Sequence, residues 1–233
     1  MVRSAVVYLF IALYVFAMAP IVTLWVLCSG DTRFIYAVAR FCLRIGGVIC
    51  GIRVRIRGLE KLRAGQNYLF LSNHESNADG PVLLHAIPRD VRAVVKAEMM
   101  RLPVLASLMR LVGFVPMDRV HPGKARQAIE RGAASLREGL SFFAFPEGTR
   151  SRDGRLGPFR GGVFMMALKA RVPIAPITIL HSRSVQPPGA FRIHPNRIEV
   201  VFHDPIATDQ ASDREQLMQM AREAILSGIP ESL

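Results

Sequence analysis

Tyr68-Leu69-Phe70-Leu71-Ser72-Asn73-His74-Glu75-Ser76-Asn77-Ala78-Asp79-Gly80 runs from an apolar, strand-like segment through a polar turn into a helical pattern. A strand entering a helix through a short turn is the repeating unit of an α/β sheet, and residues at such strand ends are where chemistry is placed. The turn carries a histidine and a carboxylate. A neutral imidazole is an effective general base near pH 7 when a carboxylate holds its second ring nitrogen and fixes the tautomer. On one continuous helix His74 and Asp79 would stand about 140° apart. Contact between them therefore requires His74 to be extended and Asp79 to lie one turn into the helix. A histidine beside an apolar strand is also often a satisfied structural residue, so the pair alone leaves both readings open.

The same rhythm extends outward. Ile52-Arg53-Val54-Arg55-Ile56-Arg57 alternates strictly, the pattern of a strand with one face buried and one wet, and opens a soluble domain over residues 51–233. Further strand-like runs at 68–71, 91–95, 113–116, 141–145, 172–178 and 197–202 alternate with helical patterns at 80–87, 102–111, 124–138, 161–170 and 209–226. The expected fold class is α/β, a largely parallel central sheet flanked by helices. In Val172-Pro173-Ile174-Ala175-Pro176-Ile177 the prolines argue against a central, fully paired strand.

Residues 1–50 read as a membrane-associated helical region. No charged residue occurs from Ser4 to Gly30, long enough to cross a bilayer core, which takes about 20 residues. Ala17-Met18-Ala19 has the form of a signal cleavage site, but Pro20 would follow the cut directly and the apolar run continues past it, so retention is expected. Pro20 is expected to kink the segment, which leaves a full span and a re-entrant helix both open. Arg33, Arg40 and Arg44 follow it against Arg3 before it, which places the C-terminal bulk on the cytoplasmic side. Residues 34–49 form a second amphipathic helix, either interfacial with its arginines at lipid headgroups or packed on the domain.

Lys and Arg number 30 against 18 acidic residues, a net charge of +12. Most of the excess is arginine, whose planar fork suits phosphate and carboxylate. Nucleic acid, an anionic membrane or a phosphorylated substrate would each fit that balance. All three cysteines, Cys28, Cys42 and Cys50, precede the main domain, which excludes a thiol nucleophile there and offers no metal spacing. No nucleophile elbow, P-loop or dinucleotide fingerprint is present.

Gly113-Phe114-Val115-Pro116-Met117-Asp118-Arg119 reads as a strand delivering Arg119 to the edge that carries His74, and Phe145-Pro146-Glu147-Gly148-Thr149-Arg150-Ser151 does the same with Glu147 and Arg150. Each alone also fits a surface ion pair or an ordinary turn. Taken in order, His74-x4-Asp79, Gly113 to Arg119, Phe145-Pro146-Glu147-Gly148-Thr149-Arg150 and Val172-Pro173-Ile174-x-Pro176 resemble the four motif blocks of the glycerolipid acyltransferases. The likeness is greatest to the bacterial 1-acyl-sn-glycerol-3-phosphate acyltransferases.

The resemblance implies transfer of a fatty acyl group from a thioester to the sn-2 hydroxyl of lysophosphatidic acid, giving phosphatidic acid. His74 is then the general base and Asp79 its orienting partner, and Lys96, Arg119, Glu147, Gly148, Thr149 and Arg150 bind substrate. It implies no metal and no cofactor, acyl-CoA or acyl-carrier protein being the co-substrate. Membrane phospholipids are the expected partners, not nucleic acid, and the inner, cytoplasmic membrane the expected location. A related acyltransferase acting on another lyso-lipid, such as a lyso-ornithine lipid, and a non-enzymatic anionic-lipid-binding protein are the alternatives.

Overall fold

The computed structural model describes residues 1–118 and 120–230. Two N-terminal helices, α1 (Val2–Ser29) and α2 (Arg33–Cys50), precede the sheet domain. Its strands are β1 (Arg53–Arg57), β2 (Leu69–Ser72), β3 (Val91–Lys96), β4 (Val115–Met117), β5 (Ser141–Ala144), β6 (Ile174–Leu180) and β7 (Arg197–Phe202). Its helices are α3 (Asp79–Ala86), α4 (Pro103–Leu111), α5 (Pro122–Arg137), α6 (Gly162–Ala170), α7 (Ser182–Val185) and α8 (Arg214–Ser227). The strand order is β1-β7-β6-β2-β5-β3-β4, parallel throughout except for the β6–β7 pair. The expected α/β architecture is the one observed.

Side-chain alternation divides the central strands between two cores. Leu69, Leu71, Phe142 and Ala144 pack with α5, α6 and α8, through residues such as Leu136, Phe164 and Leu217. Tyr68, Phe70 and Phe143 face the other way, toward Val82, Leu83 and Ile87 around α3. Covered on both faces, β2 and β5 are apolar runs without a polar side. Edge strand β1 keeps its alternation: Arg53, Arg55 and Arg57 point to solvent while Val54 and Ile56 turn inward. A row of charges on an edge strand discourages pairing with another chain.

Two sequence expectations are corrected. Strand β6 is internal, paired with β2 on one side and β7 on the other. Its Pro176 is tolerated because a residue's N–H and C=O share one side of a strand. The Pro176 carbonyl accepts from His203 N at 2.9 Å, so the missing N–H also faces β7, where that ladder ends. Helix α8 begins at Arg214, not at 209, because Asp213 caps it by accepting from Gln216 N at 2.8 Å. Residues Thr208–Gln210 form a separate 3-10 turn.

Helix α1 runs unbroken through Pro20. Both of its ends are held by the rest of the chain. Near the start, Ser4 Oγ accepts from Ile193 N at 2.9 Å, and Tyr8 donates to Phe191 O at 3.1 Å while accepting from Gln186 Nε2 at 2.6 Å. Near the end, Val22 packs with Ile35, Tyr36 and Val112. Its outer face exposes Leu9, Leu13, Phe16, Leu24 and Leu27. Helix α2 packs on the domain through Tyr36, which donates to Val91 O at 3.2 Å, and through Arg40, which bonds Arg89 O at 2.5 Å and Asp90 at 3.2 Å. Arg33 and Arg44 remain exposed, and the packing of α2 on the domain is the second of the two roles its sequence allows.

Candidate active site

Because β6, β2, β5 and β3 are mutually parallel, their C-terminal ends share one edge, and the chain leaving each strand contributes to one site. After β2 the chain turns at His74. Its Nδ1 lies 2.7 Å from Asp79 Oδ2, and the same oxygen accepts from Glu75 N and Ser76 N, each at 2.7 Å. Asp79 is fully buried and is the first residue of α3, so the turn closes the pair one helical turn earlier than the spacing argument placed it. A carboxylate only accepts, so Nδ1 carries the hydrogen and the lone pair lies on Nε2. Among the described residues, Nε2 has no bonded partner.

The ring is held in plane as well as in tautomer. Phe145, just past β5, stacks on it with centroids 3.9 Å apart and planes 12° from parallel. Beneath, buried Asn73 donates to Ile179 O at 2.8 Å and accepts from Ile179 N at 2.7 Å, locking the end of β2 to β6. Ser76 is buried, donates to Gln186 O at 2.7 Å and accepts from Ala78 N at 3.0 Å. Its hydroxyl is thus a buried turn-forming group with both of those bonds to main chain.

Glu147 is buried, with Oε1 accepting from His74 N at 2.9 Å and Oε2 from Gly157 N at 2.8 Å. Burial raises its carboxyl above the ordinary value, opposed by those two N–H donors. The structure therefore gives Glu147 a place under the main chain of the turn that carries His74. Gly148 makes the tight turn after β5 at φ 74°, a left-handed conformation natural to glycine, and donates to Phe145 O at 3.0 Å. Thr149 and Arg150 line a cavity of about 520 Å³. Lys96 ends β3 on the same edge, exposed and paired with Glu98 at 3.1 Å. Arg119 lies outside the described residues.

A second cavity, about 680 Å³ and mostly apolar, opens between the helical pair and the start of α3. Ile11, Cys42, Val48, Ala78, Val82 and Gln186 are among its lining residues. A cavity of about 800 Å³ against Tyr68, Pro173 and Asp204 lies at the opposite end of the strands, away from His74.

With this geometry in place, comparison with known proteins identifies the family. A family model described as Acyltransferase matches residues 53–180, from β1 to the end of β6. The chain belongs to the acyltransferase family. Similar proteins include a 1-acyl-sn-glycerol-3-phosphate acyltransferase of Limnanthes douglasii, 32% identical over 194 residues that cover 81% of this chain and 68% of the relative. A chloroplastic 1-acyl-sn-glycerol-3-phosphate acyltransferase of Brassica napus is 35% identical over 158 residues, 67% of this chain and 46% of the relative. The chain thus spans between about half and two thirds of the length of these curated relatives. The crystal structure of the 1-acyl-sn-glycerophosphate (LPA) acyltransferase from Thermotoga maritima shares the fold, with a TM-score of 0.84, 22% identity and coverage of 98% of this chain and 94% of that one.

Within this acyltransferase-family chain, the structure brings the sequence-predicted His74, Asp79, Lys96, Glu147, Gly148, Thr149 and Arg150 to one edge of the sheet; Asn73, Arg152, Arg183 and Gln186, which lie beside them, were not singled out, and Phe145 was read only as the end of a strand. For Arg183 a signal was available, because a residue just after a strand parallel to β2 must fall on the edge that carries His74.

Proposed function

We propose that the chain transfers a fatty acyl group from an acyl thioester to the sn-2 hydroxyl of 1-acyl-sn-glycerol 3-phosphate, giving phosphatidic acid. The observation that carries this reading is the His74–Asp79 pair at 2.7 Å, its Nε2 unbonded among the described residues, beside an arginine-lined cavity and an apolar one. That combination suits an acceptor with an anionic head, a hydroxyl and an acyl chain.

His74 Nε2 takes the proton of the acceptor hydroxyl as its oxygen attacks the thioester carbonyl. The C–O bond forms, the C–S bond breaks, and the imidazolium returns its proton to the departing thiolate. Asp79 keeps the ring in the Nδ1–H tautomer and offsets the positive charge that grows on it. Glu147 and Phe145 position the turn and the ring. Arg150, Arg119 and Lys96 bind the acceptor's phosphate by charge-assisted bonds. Acyl-CoA or acyl-carrier protein is the donor.

The exposed apolar face of α1 supports membrane association, and because this unbroken helix is held near both ends by the rest of the chain, it is read as lying along one leaflet instead of spanning. The cytoplasmic face of the inner membrane is the proposed location. The test is to incubate the purified full chain with labelled acyl-CoA or acyl-carrier protein and a panel of lyso-lipids. Labelled phosphatidic acid from lysophosphatidic acid is the expected product. Product from lyso-ornithine lipid alone, or none from any acceptor, would overturn the reading.

A further inference from the structure

The arginine-lined cavity and the apolar cavity share a wall. Gln186 lines the apolar one, and the next residues, Pro187, Pro188 and Gly189, line the other. This segment is pinned to the catalytic turn, since the Gln186 carbonyl accepts from Ser76 Oγ at 2.7 Å and Asn77 N at 3.3 Å. At its start, Arg183 Nη1 donates to Ser151 O at 3.4 Å, and Ser151 N donates to His74 O at 2.7 Å. Arg183 is therefore tied to the main chain of His74 through a single intervening residue.

Arg150, Arg152 and Arg183 all line the 520 Å³ cavity, and no acidic side chain lines it. Among the described residues none of the three forms an ion pair. Glu75, a carboxylate that feels the charge of Arg183, is bonded to the Asn73 amide at 3.1 Å and lies outside the lining. Converging like charges repel, so three unpaired guanidinium groups around one opening favour an anion with several oxygens, for which their planar forks are shaped.

We propose that Arg183 and Arg152 complete the acceptor-phosphate pocket with Arg150, and that residues 183–189 divide the acceptor, holding its phosphate on one side and its acyl chain on the other. The proposal rests on the acyl-transfer reading above. Both ends of a lysophosphatidic acid hang from one glycerol. With its phosphate among the arginines and its chain between the helical pair and α3, its free hydroxyl is left over the turn that carries His74. Arg183 then selects a phosphate monoester over an uncharged acceptor.

The test compares the full chain with Arg183→Gln and Arg183→Lys. Binding of 1-hexanoyl-glycerol 3-phosphate and of uncharged 1-hexanoyl-glycerol is measured by calorimetry without donor, and turnover is measured separately on lysophosphatidic acid. For Arg183→Gln the expected loss is about 10- to 100-fold in affinity for the phosphorylated ligand, with a matching rise in acceptor KM. Donor KM and binding of the uncharged ligand should stay near wild type. Arg183→Lys should recover part of the loss, since it restores charge without the fork. Unchanged affinity of Arg183→Gln for the phosphorylated ligand overturns the proposal, and so does an equal loss for both ligands, which marks a purely structural role. If the phosphate-dependent binding loss is seen but wild type transfers no acyl group, the pocket stands and the acyl-transfer reading falls.

Discussion

Glu147 holds His74 by its main chain: Oε1 accepts the His74 N–H at 2.9 Å while Oε2 accepts the Gly157 N–H at 2.8 Å. One buried carboxylate thus fixes where the catalytic turn lies relative to the loop after β5. Glu147→Gln puts an NH2 group against one of those N–H donors and shifts the turn. A displacement of about 1 Å costs roughly 10²-fold in rate, and activity should fall by up to that amount. Stability should change much less, because the lost bond, about 1–3 kcal/mol, is offset by relief of a buried charge whose cost is seen in the raised carboxyl. Acyl-transfer kinetics beside a thermal melt would check this; parallel losses in both would make Glu147 a stability residue only.

His74→Ala should abolish acyl transfer, by about 10²- to 10⁴-fold, and leave folding and membrane binding intact. Asp79→Asn should lose a large part of the same activity, because the amide oxygen that Glu75 N and Ser76 N select for this position keeps the tautomer but brings no negative charge to offset the imidazolium. Circular dichroism establishes the fold of each variant before rates are compared. A well-folded His74→Ala protein with wild-type turnover would remove the general-base mechanism.

The stacking of Phe145 on His74 at 3.9 Å predicts a smaller, more specific effect. An aromatic pair is worth about 0.5–1.5 kcal/mol, so Phe145→Leu, which keeps apolar volume but loses the flat contact, should lower kcat roughly 2- to 10-fold. Acceptor KM should barely move. A change in KM alone would show that the ring lines the substrate path instead of steadying the base.

The sheet was legible in the sequence because β2, β5 and β6 are covered on both faces and β1 on one, conditions that leave continuous or alternating apolar patterns. The contact between His74 and Asp79 was legible because residues five apart meet only where a strand end turns into a helix. Pro176 misled because the rule against proline in central strands assumes ladders on both sides at that residue, whereas the β7 ladder ends beside it. Asn73 and Gln186 gave no signal. Their work is done through partners 106 and 110 residues away, the Ile179 main chain for the Asn73 amide and the Ser76 hydroxyl for the Gln186 carbonyl, which no local pattern encodes. The bonds from Tyr8 and Ser4 that hold α1 to the domain were invisible for the same reason.

His203 predicts an acid limb of stability. Thr178 Oγ1 donates to Ile225 O at 2.7 Å, so it accepts from His203 Nε2 at 2.8 Å, tying the end of β7 to α8 through β6. Burial lowers the His203 pKa below its ordinary value, helped by the charge of Lys61 and opposed by Asp204. The unfolded chain takes up this proton near pH 6.5, the folded chain only at lower pH. Between the two the unfolded state binds more protons, so stability falls as pH drops below about 6.5 and is unaffected by this group above it. Melting temperature across pH 5–8 should show that limb in wild type and a shallower one in His203→Gln, the remainder including His85, which burial also lowers. Superimposable curves would assign the limb elsewhere.

The outer face of α1 carries the last prediction. Leu13, Phe16 and Leu24 are 61%, 78% and 64% exposed, and none of them lines the apolar cavity. An apolar stripe of that extent on a helix held at both ends by the domain suits burial in a lipid surface. Burying each such side chain contributes about 1.5–3 kcal/mol, roughly tenfold or more in partitioning per residue. Replacing the three by Gln should therefore release the protein from liposomes in a flotation assay while the contacts of Ser4, Tyr8 and Val22 keep α1 in place. Activity on acceptor embedded in liposomes should fall with binding. Activity on a dispersed short-chain acceptor should stay within about threefold, because His74, Asp79 and both cavities are untouched and the short chain needs no extraction from a bilayer, where each methylene costs about 0.8 kcal/mol. If the triple variant floats with liposomes as wild type does, α1 is not the membrane contact and the basic surface must supply it, a case that rising salt would expose by weakening the attachment.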